Sequence, residues 1–122
     1  MYKTDTAGLG KRGEDVALKF LKERGMQLVA RNWRSSHKEL DLIMEDGNFL
    51  RIIEVRSLSY PNNVLPFETV GPVKRRMVVD AARHFVALKG IDKEIVFDIV
   101  SIVFNGDLFT IDYIANAFAP RW

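Results

Sequence analysis

At 122 residues the chain is long enough for one domain with its own core and too short for two. Hydrophobic residues make up 48%, so neither a disordered chain nor a membrane-embedded one is expected, and no apolar run approaches membrane-spanning length. With no cysteine and no apolar signal core at its start, the chain points to a reducing compartment, the cytoplasm, and excludes disulfides and thiolate metal sites.

The net charge of +2 is unevenly spread. Residues 1–40 carry nine Lys/Arg against five Asp/Glu, and residues 41–122 carry nine against eleven. A basic N-terminal third beside an acidic cluster suits a polyanion presented to metal-binding carboxylates; a mixed-charge solvated surface is the plainer alternative.

In chain order, Leu9–Arg24 is expected to be a helix. Gly13, Val16, Ala17, Phe20 and Leu21 share one face, and Gly25 stops it. Glu14 falls on the border of that face. Met26–Arg34 reads as a first strand, followed by the basic link Arg34-Ser35-Ser36-His37-Lys38.

Glu39–Met44 and Phe49–Arg56 then form a hairpin. With Asp46-Gly47 as its turn, Glu39 lies opposite Glu54, and Asp41 is diagonal to Glu54. Glu39, Asp41 and Glu54 would share one face with Arg56. Like charges so placed repel, which implies a cation between them.

Ser57–Gly71 is the one long irregular stretch, a length that often carries function. Pro72 opens a second helix with Met77, Ala81, Phe85 and Leu88 as its buried stripe, and Gly90 caps it. Ile95–Phe104 reads as a central strand. Asn105-Gly106 turns into an edge strand, Leu108–Ile114. The order α-β-β-β-α-β-β gives an α/β fold with a mixed five-stranded sheet flanked by helices. The carboxylates would lie near the strand ends, under the N-terminal helix and the long loop.

Cations in a helix's first turn oppose its dipole, and a phosphate held there would reverse the sign. Lys74, Arg75 and Arg76 are therefore candidate nucleic-acid contacts, as are Arg12, Arg31, Arg34 and Lys38 of the basic third. Trp33 and His84 are expected to be structural or surface residues, His37 an exposed loop residue, and Asp98 a buried carboxylate with a donor.

Several segments together resemble the UPF0102 (YraN-like) family. They are Gly10-Lys11-Arg12-Gly13-Glu14-Asp15-Val16-Ala17, Arg31-Asn32-Trp33-Arg34 and Glu39-Leu40-Asp41-Leu42-Ile43. Glu54-Val55-Arg56, Pro72-Val73-Lys74-Arg75, Phe97-Asp98-Ile99-Val100 and Asn116-Ala117-Phe118 continue the pattern. The resemblance extends to the PD-(D/E)xK, restriction-endonuclease-like superfamily and implies a single domain of that fold over residues 1–122. It implies Asp41, Glu54 and the Val55 carbonyl as ligands of Mg²⁺ or Mn²⁺, and Arg56 in the place of the superfamily's Lys. Glu14 resembles the helix glutamate of archaeal Holliday-junction resolvases, and Glu39 matches an extra acidic position.

The implied activity is metal-dependent phosphodiester hydrolysis, with nucleic acid, DNA first, as partner, no membrane, and homodimerisation left open. Arg56 is a departure: it can brace a phosphate but cannot accept a proton. Leu58 stands where a basic residue is expected, and Gly71-Pro72 stands for Thr-Pro, which removes a side-chain cap. The alternatives are a non-catalytic nucleic-acid-binding module and a protein-interaction module.

Overall fold

Glycines and one proline punctuate the chain where the sequence places them. In a computed structural model, which describes residues 6–120 and the side chains from Gly8 onward, α1 spans Thr6–Glu23 and ends before Gly25. Gly25 has a φ of +92°, which a residue with a Cβ rarely adopts. After α1 come β1 (Gln27–Ser35), β2 (Lys38–Asp46) and β3 (Phe49–Ser59). A short 3-10 helix at Pro66–Thr69 precedes α2 (Pro72–Lys89), β4 (Glu94–Asn105) and β5 (Leu108–Phe118).

The five strands form one mixed sheet in the order β1-β2-β3-β4-β5. β3 and β4 run parallel, joined across the sheet by α2, and the other neighbours are antiparallel. This is the α-β-β-β-α-β-β order and mixed α/β sheet expected from the sequence. Among the described residues no helix is long and apolar enough to cross a membrane.

Each helix covers one face. Ala17 and Leu21 of α1 pack on Leu42, Met44, Ile53, Val100 and Ile102. Val78, Ala81, Ala82 and Phe85 of α2 pack on Leu40, Ile43, Ile52, Phe97 and Ile99. The α1 stripe is the expected one. The α2 stripe is not: Met77 and Leu88 are exposed, and only Ala81 and Phe85 of the expected set are buried. The helical stripe that packs on the sheet is the one through Val78, Ala81, Ala82 and Phe85.

Both hairpin turns differ from expectation in the same way. Asp46 pairs with Phe49 and Asn105 with Leu108, so the central turn residues are Gly47-Asn48 and Gly106-Asp107. Gly47 and Gly106, with φ of +60° and +64°, occupy the first central position that a type II′ turn reserves for glycine. Asp46 is drawn into the strand by Arg51, whose Nε donates to its Oδ2 at 2.8 Å. β1 and β2 are likewise joined by two residues, Ser36-His37, with Ser35 paired to Lys38. The irregular stretch is shorter than expected, because β3 continues to Ser59 and Pro66–Thr69 is helical. β5 runs four residues beyond the expected edge strand, to Phe118.

A candidate carboxylate site where two strands separate

The corrected turn shifts the β2–β3 register by two residues, so Glu39 is not opposite Glu54. The recorded ladder runs from Asp46↔Phe49 to Leu42↔Ile53 and stops there. At that point the alternation of β2 breaks. Leu40 packs in the α2-side core and Leu42, two residues on, in the α1-side core. A regular strand would send both to one face. On the neighbouring β1, Asn32 adopts a left-handed φ of +51°.

The break turns Asp41 sideways toward β3, where its Oδ2 accepts the Val55 N–H at 2.9 Å. In a strand, the N–H and C=O of one residue point to the same side, so the Val55 carbonyl faces the same opening.

Glu54 reaches this opening from β3. It shares the α2 side of the sheet with Ile52 and is 4% exposed. Burial, and then the adjacent Asp41 carboxylate, push its pKa up to about 8. Lys74 and Arg56 oppose that rise. Arg56 Nη2 lies 2.9 Å from Glu54 Oε2 and Lys74 Nζ 3.6 Å from the same oxygen. The Asp41–Glu54 pair thus faces two cationic side chains of the chain itself, Arg56 and Lys74. The second was not legible as such: Lys74 lies twenty residues from Glu54, and only the docking of α2's first turn over β3 brings it there.

The remaining expected site residues are placed elsewhere. Glu39 pairs with Arg34 at 3.4 Å on the exposed surface. No group of three or more acidic, His or Cys residues suited to a metal ion occurs among the described residues. The pair Asp41–Glu54 is therefore the candidate site, where a triad was expected. It lies under α2, with α1 on the opposite face, which corrects the expected place beneath the N-terminal helix.

Glu14 accepts from Arg31 Nε at 3.3 Å, and Arg31 Nη2 also holds Asp15 at 2.7 Å. That Arg31 hydrogen bond lowers the Asp15 pKa. Arg12 donates to the Gly106 carbonyl at 2.9 Å and stacks over Phe104. Lys38 and Arg76 are exposed. Arg75 Nε donates to the Val70 carbonyl at 2.9 Å. Trp33 packs edge-on against Phe85 in the α2-side core, His84 bonds Ser35 at 3.0 Å, and His37 sits in an exposed turn.

A family model described as "Uncharacterised protein family UPF0102" matches residues 13–102. The chain belongs to the UPF0102 family. A UPF0102 protein of Bacteroides fragilis is 38% identical over 112 residues, which cover 92% of this chain and 93% of that one. A Porphyromonas gingivalis relative is 36% identical over 98 residues, 80% of this chain and 73% of the relative. A Persephonella marina relative is 37% identical over 110 residues, 89% and 91%. The UPF0102 match spans both candidate carboxylates, Arg56 and Lys74, so the site lies within the matched residues.

Proposed function

We propose that this UPF0102 protein binds nucleic acid, DNA first, and hydrolyses phosphodiester bonds at the Asp41–Glu54 pair with a divalent cation. The observation that carries this reading is the pair itself. Two carboxylates are held together at a break in the sheet although their repulsion and burial raise the pKa of Glu54 to about 8. Conflicts of this kind cluster at functional sites, where a perturbed carboxylate serves binding or chemistry.

The donor set fits Mg²⁺ or Mn²⁺: two carboxylates and the Val55 carbonyl are all hard oxygens, and Mg²⁺ keeps waters in its remaining positions. When bound, such an ion polarises a phosphoryl oxygen and acidifies water. The protein's own groups do the rest. Asp41 is oriented by the Val55 N–H, and Glu54 is presented from a buried position on β3. Arg56 and Lys74, drawn together by Glu54, supply the positive charge that would meet a scissile phosphate. The resemblance to PD-(D/E)xK nucleases supports the same assignment.

The test is a cleavage assay in Mn²⁺ on linear, flapped and four-way-junction DNA. Cleavage lost in Asp41→Asn and raised in Arg56→Lys is expected, because Lys beside a metal can deprotonate where Arg cannot. A folded, metal-binding Arg56→Lys variant inert on all three substrates overturns the nuclease reading. One observation favours the second reading, a non-catalytic binder: Arg56 closes on Glu54 at 2.9 Å, a contact a metal ligand would have to exchange.

A further inference from the structure

A groove of about 820 Å³ runs between α2 and the end of β5. It lies on the flank of α2 that the helical repeat turns away from Lys74, so it is separate from the carboxylate pair. Arg75, Arg76 and Arg83 line it, spread over about 12 Å of helix, with Asp80 as the acidic residue among its described lining. Arg75 is held in place by its bond to the Val70 carbonyl and sits 5.4 Å over the Phe118 ring. That ring in turn stacks on Phe97 at 5.2 Å. The groove shares Val79, Arg83 and Pro120 with an adjoining hollow of about 270 Å³, whose other walls include Val86, Ile95 and Phe97. A rail of guanidinium groups thus borders an apolar floor. Arg83 follows Arg75 and Arg76 by two helical turns, a spacing legible in the sequence once the buried face of α2 is known.

We propose that this groove, through Arg75, Arg76 and Arg83 above the floor at Val79 and Pro120, binds a single-stranded segment of nucleic acid. Charge complementarity favours an anionic ligand, and the apolar floor favours one that exposes flat apolar faces beside its charges. An unpaired strand does so. A duplex keeps its bases stacked inside and offers the floor nothing, and a purely acidic peptide uses only the rail. The inference rests on the nucleic-acid-binding reading above and adds the form of the ligand and its place.

The experiment is fluorescence anisotropy of the full chain, in EDTA, with labelled oligothymidylate and with a hairpin duplex of equal charge. Oligothymidylate is expected to bind more tightly than the duplex. Arg76→Glu/Arg83→Glu should weaken it at least tenfold and flatten the slope of log affinity against log salt by about 1.4, near 0.7 per lost contact. The neutral pair Arg76→Gln/Arg83→Gln should fall between, which keeps the result readable if charge reversal perturbs folding. Lys19→Glu/Lys22→Glu, the same charge change on α1, should cost less than threefold.

Equal loss in the α1 control would reduce the effect to net charge and overturn the groove. Poly-glutamate competing as well as oligothymidylate would overturn the single-strand assignment. Duplex preferred, with no response to the groove variants, sinks the groove but leaves nucleic-acid binding standing. No binding of either nucleic acid sinks both.

Discussion

Two buried carboxylates on adjacent strands have opposite fates. Asp98 of β4, on the α1 side of the sheet, is fully buried and saturated with donors. Arg51 Nη1 donates to it at 3.1 and 3.3 Å, the Tyr113 hydroxyl at 2.6 Å and the Asn116 N–H at 2.8 Å. These bonds tie β3, β4 and β5 together, and burial with the Asp98 bond pushes the Tyr113 phenol up. Glu54 of β3, on the α2 side, is nearly as buried but faces another acid, and its two cations do not compensate. One carboxylate is ringed by donors; the other is held where its charge is costly. Stability and chemistry are thus separated onto the two faces of one sheet.

Removing each carboxylate tests the contrast. Asp98→Asn should cost about 3 kcal/mol in urea unfolding, because it removes the charge that gathers the donors of Arg51, Tyr113 and Asn116 and leaves Asp46 as the remaining carboxylate on Arg51. A loss under about 1 kcal/mol would mean that the network is not structural.

Glu54→Gln should do the reverse. Its folded pKa lies above the ordinary carboxylate range, so Glu54 contributes stability at and below that range and loses it as pH rises toward about 8. The wild type should therefore weaken as pH rises across that window. The Gln variant, which mimics the protonated acid, should match it near pH 5 and exceed it by about 2 kcal/mol at pH 9. Parallel pH profiles would refute the contrast.

Divalent cation gives the smaller effect. Millimolar Mn²⁺ should stabilise the wild type by about 1.4 kcal/mol at ten times Kd, more at pH 8 than at pH 6. Asp41→Asn should show no such shift, and in metal-free buffer should be neutral or stabilising, since it removes a repelled charge. A strongly destabilised Asp41→Asn that ignores Mn²⁺ would make Asp41 structural, like Asp98.

Much of this was legible in the sequence, for identifiable reasons. Helix and strand order followed from apolar period and from Gly25, Gly71-Pro72 and Gly90, which act locally. The buried role of Asp98 followed from its apolar surroundings. Hairpin register did not follow, because Asp46-Gly47 and Asn105-Gly106 are each equally good as the turn or as its first half, and only cross-strand contacts such as Arg51–Asp46 decide. The place of Glu39 is not legible because strict alternation fails at Asp41, where two opposing cores claim Leu40 and Leu42. Arg12, Arg31 and Arg34 read as free cations because their partners, the Gly106 carbonyl, Glu14 with Asp15, and Glu39, are set mainly by tertiary contact.

Gly13 carries a consequence for anyone who would stabilise this protein. Alanine is the best helix former, and replacing a mid-helix glycine with it ordinarily adds about 1 kcal/mol. At position 13 that rule inverts. α1 rides so low on β3 that a Cβ would overlap the Ser57 hydroxyl oxygen, and even with that hydroxyl rotated away it would stand 3.1 Å from the Ser57 Cβ. Lifting the helix disturbs the contact of Ala17 and Leu21 with the sheet, an overpacking cost of about 1–3 kcal/mol. Gly13→Ala should therefore lower stability by about 1 kcal/mol net, read as a drop in Tm, and a rise would show that α1 has slack. The distance between helix and sheet is set here by the width of a hydrogen atom.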